Sequence, residues 1–191
     1  MNPTPMNRGY RRLFWASFFI LIGGSGIDDT TPWIPGIIGL CIAVSGTNLI
    51  YKESSLVRFR QAWLFAIAGI VVWVIASFRS SELETVTWYL QFLYYFLGAV
   101  IILQIYVNVL VGAGEVLGGS WKRYFSRYAA GFAGLFTLST IAMMAREVFG
   151  STAGSPLDWF FNLLIMLQLL IGLWIMWLMA DLRRKYPLVL E

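Results

Sequence analysis

Six neutral polar residues sit inside the long apolar runs of this 191-residue chain: Asn48, Gln104, Asn108, Ser139, Thr140 and Gln168. Amides and hydroxyls donate and accept hydrogen bonds, but they do not shuttle protons at neutral pH. Gln104 and Asn108 are four apart and share a helical face. At about 1.5 Å per residue, Gln168 lies near the middle of its run. Ser139 and Thr140, on the run before it, reach a similar depth, so Gln168 is expected to meet one of them inside a bundle. Asn48 falls at the depth of Gln104 and Asn108. Buried amides need partners. The six residues therefore read either as interhelical hydrogen bonds, each contributing about 0.6–2 kcal/mol, or as the polar lining of a cavity for water or a small neutral ligand.

Most other chemistry is excluded by what the chain lacks. It has no histidine, and its single cysteine, Cys41, lies in an apolar run. That removes His-ligated metal, Ser-His and Cys-His catalysis, and internal disulfides. No Asp, Glu, Lys or Arg falls near the centre of any run. Ionisable groups at membrane depth mark ion paths and proton relays, so carboxylate-coupled transport and voltage sensing are not expected. The GGSG at 23–26 resembles the GxSG around the nucleophile of rhomboid intramembrane proteases, which are six-helix enzymes. That resemblance implies a reactive serine, but the family's base is a histidine on another helix, and this chain has none. A glycine-rich helix exit accounts for the motif. A non-enzyme without cofactor or metal is expected.

Two charged sets remain. Arg79 and Arg146 are each followed by acidic residues (Glu82 and Glu84; Glu147), and Asp28, Asp29 and Asp158 complete a group of two basic and six acidic side chains. The group reads as interfacial ion pairing or as a rim that recruits a cation or gates entry. The other set is basic: Arg8, Arg11 and Arg12; Lys52, Arg58 and Arg60; Lys122, Arg123 and Arg127; Arg183, Arg184 and Lys185.

The elements that position these residues follow from composition. Apolar residues make up 59% of the chain and charged residues 13%, and mean hydropathy is +0.71. Soluble domains run at about 45–50% apolar and about 25% charged. A soluble enzyme, a disordered chain and a nucleic-acid-binding domain are excluded; the solvent is lipid. The charges divide the chain into apolar runs, and a crossing helix needs about 20 residues. Six spans are expected, at 11–27, 33–51, 61–78, 87–111, 128–147 and 159–180, in a single all-α domain of three helical hairpins. The first run is charge-free only over 13–27 and reaches full length by including Arg11 and Arg12, which would snorkel. Its arginines and GGSG also fit a cleavable signal peptide, which would leave five helices. Twelve of the 14 basic residues then share one side. Basic loops stay in the cytoplasm, so both termini are expected there, in an inner or plasma membrane. Trp33, Trp88 and Trp159 open the second helix of each pair, at headgroup level. The segment 112–128, GAGEVLGGSWKRYFSRY, reads as the longest cytoplasmic loop, a basic–aromatic patch suited to anionic headgroups or a protein partner.

Close helix approach in lipid relies on small residues. Gly39, Ala43 and Gly46 form one such face, and Ala62, Ala66 and Gly69 another; Ala130 and Gly134 form a third pair. These are faces for internal packing or for a partner or second copy. Beyond the bilayer itself, no nucleic-acid partner is expected. In size, helix count and termini-in topology the chain is similar to the substrate-binding components of energy-coupling-factor vitamin transporters, which implies a small-molecule-binding transport subunit. The expectation ranked first is a non-catalytic auxiliary or regulatory subunit acting through helix packing and its basic loops.

Overall fold

The computed structural model describes residues 4–24, 33–77, 87–149 and 156–185. Among the described residues the chain is all α-helix, in six elements: α1 (Pro5–Gly24), α2 (Trp33–Ser54), α3 (Val57–Ser77), α4 (Thr87–Leu117), α5 (Gly119–Phe149) and α6 (Pro156–Lys185). Their starts follow local chemistry. Pro5 and Pro156 each occupy a first helical position, where a missing N–H costs nothing. The Thr4 hydroxyl accepts from the Asn7 amide N–H at 3.3 Å, an N-cap.

Four helices are long and apolar enough to cross a membrane, through Ile34–Ser54, Val57–Ile75, Leu93–Leu117 and Asn162–Lys185. The other two have visible reasons for falling short. Arg8, Arg11 and Arg12 occupy the first half of α1. Lys122, Arg123 and Arg127 begin α5, whose apolar part is diluted by Gly, Ser and Thr.

Each helix packs against the next, and α6 returns to pack on α1, closing the set. All six contacts are antiparallel. Gly9 faces Ile50 and Gly46, while Gly39 faces Ile20 and Ala16 (α1–α2); Gly36 faces Trp73 and Gly69 faces Leu40 (α2–α3). Gly112 meets Phe59 and Gly69 meets Ile101 (α3–α4). Gly114 lies on Lys122 and Phe125 (α4–α5), and Gly131 lies near Trp174 (α5–α6). Gly172 touches Leu21, and the Asn7 side-chain amide donates to the Arg183 carbonyl at 3.0 Å (α1–α6).

The faces built on Gly39, Ala43 and Gly46 and on Ala62, Ala66 and Gly69 are therefore taken up within the chain. Ala43, Ala62 and Ala66 are fully buried. Outward, every helix presents large apolar side chains, among them Trp15, Ile38, Leu64, Phe96, Leu138 and Leu170.

The segment 112–128 differs from its sequence reading. It is not a loop: α4 runs to Leu117, and α5 starts at Gly119. The reversal takes place at Gly118 and Gly119, whose φ values of 66° and 51° lie in the left-handed region that glycine occupies without strain. Its aromatic and basic residues are thus held on the first turns of α5, where Phe125 is buried and Trp121, Lys122, Arg123 and Arg127 are exposed.

Candidate functional site

The antiparallel arrangement brings the starts of α1, α3 and α5 and the ends of α2, α4 and α6 to one end of the bundle. Arg8, Arg11, Arg12, Lys52, Arg58, Arg60, Lys122, Arg123, Arg127, Arg183, Arg184 and Lys185 gather there. Among the described residues only three acids share that end: Glu53, Glu115 and Asp181. Two of the three are paired. Arg58 Nε lies 3.7 Å from a Glu115 oxygen, joining α3 to α4, and Lys185 bonds Asp181 one turn earlier on α6. The Arg12 guanidinium donates to the Ser45 hydroxyl across the α1–α2 contact. Arg11, Arg60, Lys122, Arg123, Arg127 and Arg184 are exposed, with no ion pair among the described residues.

The seam between α5 and α6 at this end is aromatic. Trp121 meets Tyr124 edge-on at 5.5 Å, Tyr124 stacks on Tyr128 at 4.4 Å, and Tyr128 reaches Trp174 at 5.4 Å. Lys185 Nζ lies 4.1 Å from the Trp121 ring centroid, a cation–π contact worth about 0.5–2 kcal/mol depending on its wetness. The Tyr124 phenol is pushed up to about 12, chiefly by its hydrogen bond with Tyr128, then by burial, then by the Tyr128 and Asp181 charges.

The interior polar residues do not form the expected cluster. Ser139 and Thr140 both donate to the Phe136 carbonyl, at 2.9 Å and 2.8 Å. Asn108 donates to the Gln104 carbonyl at 2.8 Å and to its side-chain oxygen at 3.4 Å. Gln168 is half-buried and bonds neither Ser139 nor Thr140; Asn48 is half-buried too. The reason is local. A hydroxyl or short amide on a helix can reach a carbonyl three or four residues back, and a bond closed within one helix needs no fit between two. The pair Gln104 and Asn108 is brought together, as their spacing requires; the interhelical bond of Gln168 is not made.

Sequence reasoning missed the one buried polar atom without a hydrogen-bond partner among the described residues, the Tyr106 hydroxyl. Tyr106 is 3% exposed. Its ring packs edge-on against Phe132 at 6.0 Å, and its hydroxyl approaches Ser17 of α1. The Ser17 hydroxyl is itself turned to the Leu13 carbonyl at 2.8 Å. Nothing in the spacing of α4 marks Tyr106, because tyrosine inside an apolar run also serves as an interface residue. Of the acidic set, Arg79, Asp28 and Asp29 lie outside the described residues; Arg146 is on α5, with its side chain outside them. Among the described residues no group of His, Cys, Asp or Glu could hold a metal ion.

Comparison with known proteins gives no match to a family model, to a curated protein or to a solved structure.

Proposed function

We propose that the chain is a six-span integral membrane protein of the cell membrane, with its basic end in the cytoplasm. There it acts as a non-catalytic auxiliary or regulatory subunit that docks a partner. The observation that carries this reading is the gathering of twelve basic side chains at one end of an all-helical bundle whose flanks are apolar. Basic residues in short connections stay cytoplasmic, so the charge sets the orientation. The two helices with weaker composition lie antiparallel beside strongly apolar ones, α1 between α2 and α6 and α5 between α4 and α6. That supports six crossings over four. A cationic, aromatic end of this kind suits recognition of an anionic partner surface.

A phosphatase reporter active only outside the cytoplasm, fused after Arg184, should be inactive, and one fused at Gly154 should be active. The reverse pattern overturns the orientation, and equal activity overturns the helix count. For docking, affinity purification in mild detergent should recover a protein that Lys122→Gln/Arg123→Gln/Arg127→Gln loses.

One observation favours a second reading, a small-molecule-binding transport subunit. The Tyr106 hydroxyl is buried and makes no hydrogen bond of full geometry, approaching only the Ser17 hydroxyl; a small neutral ligand or a water between the two would complete the bonding of both. Recovery of the chain with a membrane coupler and an ATPase pair would favour that reading over the first.

A further inference from the structure

We propose that the α5–α6 seam at the basic end holds an anionic phospholipid, with the lipid phosphate on Arg123 and Arg127 and one acyl chain along the outer face of α5. The proposal rests on the membrane reading above and names a ligand for that end of the molecule.

Three observations converge on the outer face of α5 beside this seam. Arg123 and Arg127 are four apart, exposed, and without an ion pair among the described residues. The nearest carboxylate on α6, Asp181, is engaged by Lys185, so the arginine charges are left for an outside anion. Arg and phosphate match in charge and in bidentate geometry. Next, the aromatic ladder from Trp121 through Tyr124 and Tyr128 to Trp174 runs from the basic end into the apolar part. Such rings belong at headgroup level, where one edge is wet and the face is apolar.

The third observation is shape. Arg127, Gly131, Gly134 and Leu138 recur at i, i+4, i+7 and i+11, on one helical face. Gly131 and Gly134 are both exposed, and a Cβ added at Gly134 would meet nothing within 4 Å. The other close-packing glycines, Gly9, Gly39, Gly46 and Gly69, are filled by neighbouring helices. This α5 face carries no side chain at Gly131, beside Trp174, or at Gly134, and the bare stretch begins about 6 Å above Arg127, the level at which an acyl chain leaves its headgroup. A free phosphate would use the arginines but not the bare stretch; a lipid uses both.

The test uses the full chain, purified in detergent and titrated with dioleoylphosphatidylglycerol or dioleoylphosphatidylcholine, with bound lipid counted by native mass spectrometry. Flotation with neutral vesicles is scored in parallel. The wild type should retain phosphatidylglycerol preferentially. In Arg123→Gln/Arg127→Gln the preference should fall about 25-fold, since each basic residue at an anionic surface contributes about 1 kcal/mol, about fivefold. Arg11→Gln/Arg60→Gln removes the same charge at the same end and should lower it less than fivefold. Gly134→Leu puts bulk on the bare stretch without touching charge, meets no neighbouring atom at its Cβ, and should also reduce retention. Equal losses in the two double variants, or no preference in the wild type, overturn the site. Loss of a copurifying acidic protein with lipid preference unchanged assigns the face to a protein and overturns it too. A wild type that floats with neutral vesicles but shows no preference refutes the lipid site alone. One that never floats refutes the membrane reading as well.

Discussion

Gly9→Ala tests one of the three tightest glycine contacts in the bundle. A methyl group at Gly9 would lie 2.4 Å from Ile50 Cγ1 and 2.9 Å from the Gly46 carbonyl oxygen. The first neighbour is a side-chain atom close to its own backbone, and the second is backbone, so rotamer changes cannot clear the space. The α1 and α2 axes must separate, which also loosens Gly46 against Arg12 and Leu13 and Gly39 against Ile20. Overpacking of this kind costs about 1–3 kcal/mol. Alanine returns about 1 kcal/mol of helix propensity, so the net loss is about 0–2 kcal/mol and is hard to read alone. Gly134→Ala supplies the reference. It sits in the interior of α5 with nothing within 4 Å of the new carbon, so it gains propensity without the clash. The propensity terms cancel in the difference, and Gly9→Ala should be about 1–3 kcal/mol less stable than Gly134→Ala. The assay is reversible unfolding in mixed micelles of mild detergent and dodecyl sulfate, followed by far-UV circular dichroism. If the two variants are equally stable, α1 does not approach α2 at Gly9, and the antiparallel α1–α2 pairing described above is wrong.

Three further outcomes are expected. Ser139→Ala should change stability by less than about 0.5 kcal/mol in the same assay, because the hydroxyl bonds only its own helix and no partner is stranded; a loss of 2 kcal/mol would mean that it bonds across helices. Phe59→Ala should cost about 3–5 kcal/mol, since the ring is fully buried against α4 at Gly112. Tyr128→Phe should lower the Tyr124 pKa from about 12 toward its ordinary value of 10.0, read by phenolate absorbance. The raised value favours the neutral phenol in the fold, so this contribution to stability is complete below pH 10.0 and is lost as pH rises through about 12. No change in the Tyr124 titration on removing the Tyr128 hydroxyl would refute that cause.

Some of the site was legible and some was not, for reasons visible in single residues. Arg123, Arg127 and Trp121 could be marked as a basic–aromatic patch because they are neighbours in the chain. Trp174 and Lys185, which complete the seam, lie 53 and 64 residues beyond Trp121 on α6, and only packing brings them there. Gln104 and Asn108 could be paired from their spacing, and they are. Gln168 could not be placed from depth alone, since equal depth says nothing about which side of a helix faces which neighbour. The reversal at Gly118 and Gly119 was hidden because a glycine-rich, charged segment reads as a loop, while two glycines suffice to turn one helix into the next.

The sequence by itself determined that the molecule is helical and apolar, that its charges fall at the ends of the apolar runs, and that it has no histidine and no Asp or Glu near the middle of a run. Those are properties of composition and of distance along the chain, and every residue carries them locally. Tertiary structure decided which faces meet. Helices that are apolar all round give no amphipathic signal to choose a partner, so the choice falls to shape: Gly9 against Gly46, Gly39 against Ile20, Gly69 between Leu40 and Ile101. It also decided that the buried Ser17, Thr47, Asn108 and Ser139 side chains bond within their own helices and that the Tyr106 hydroxyl of α4 comes to Ser17 of α1. A hydrogen bond depends on tenths of an ångström between atoms distant in sequence, which hydropathy and spacing do not encode.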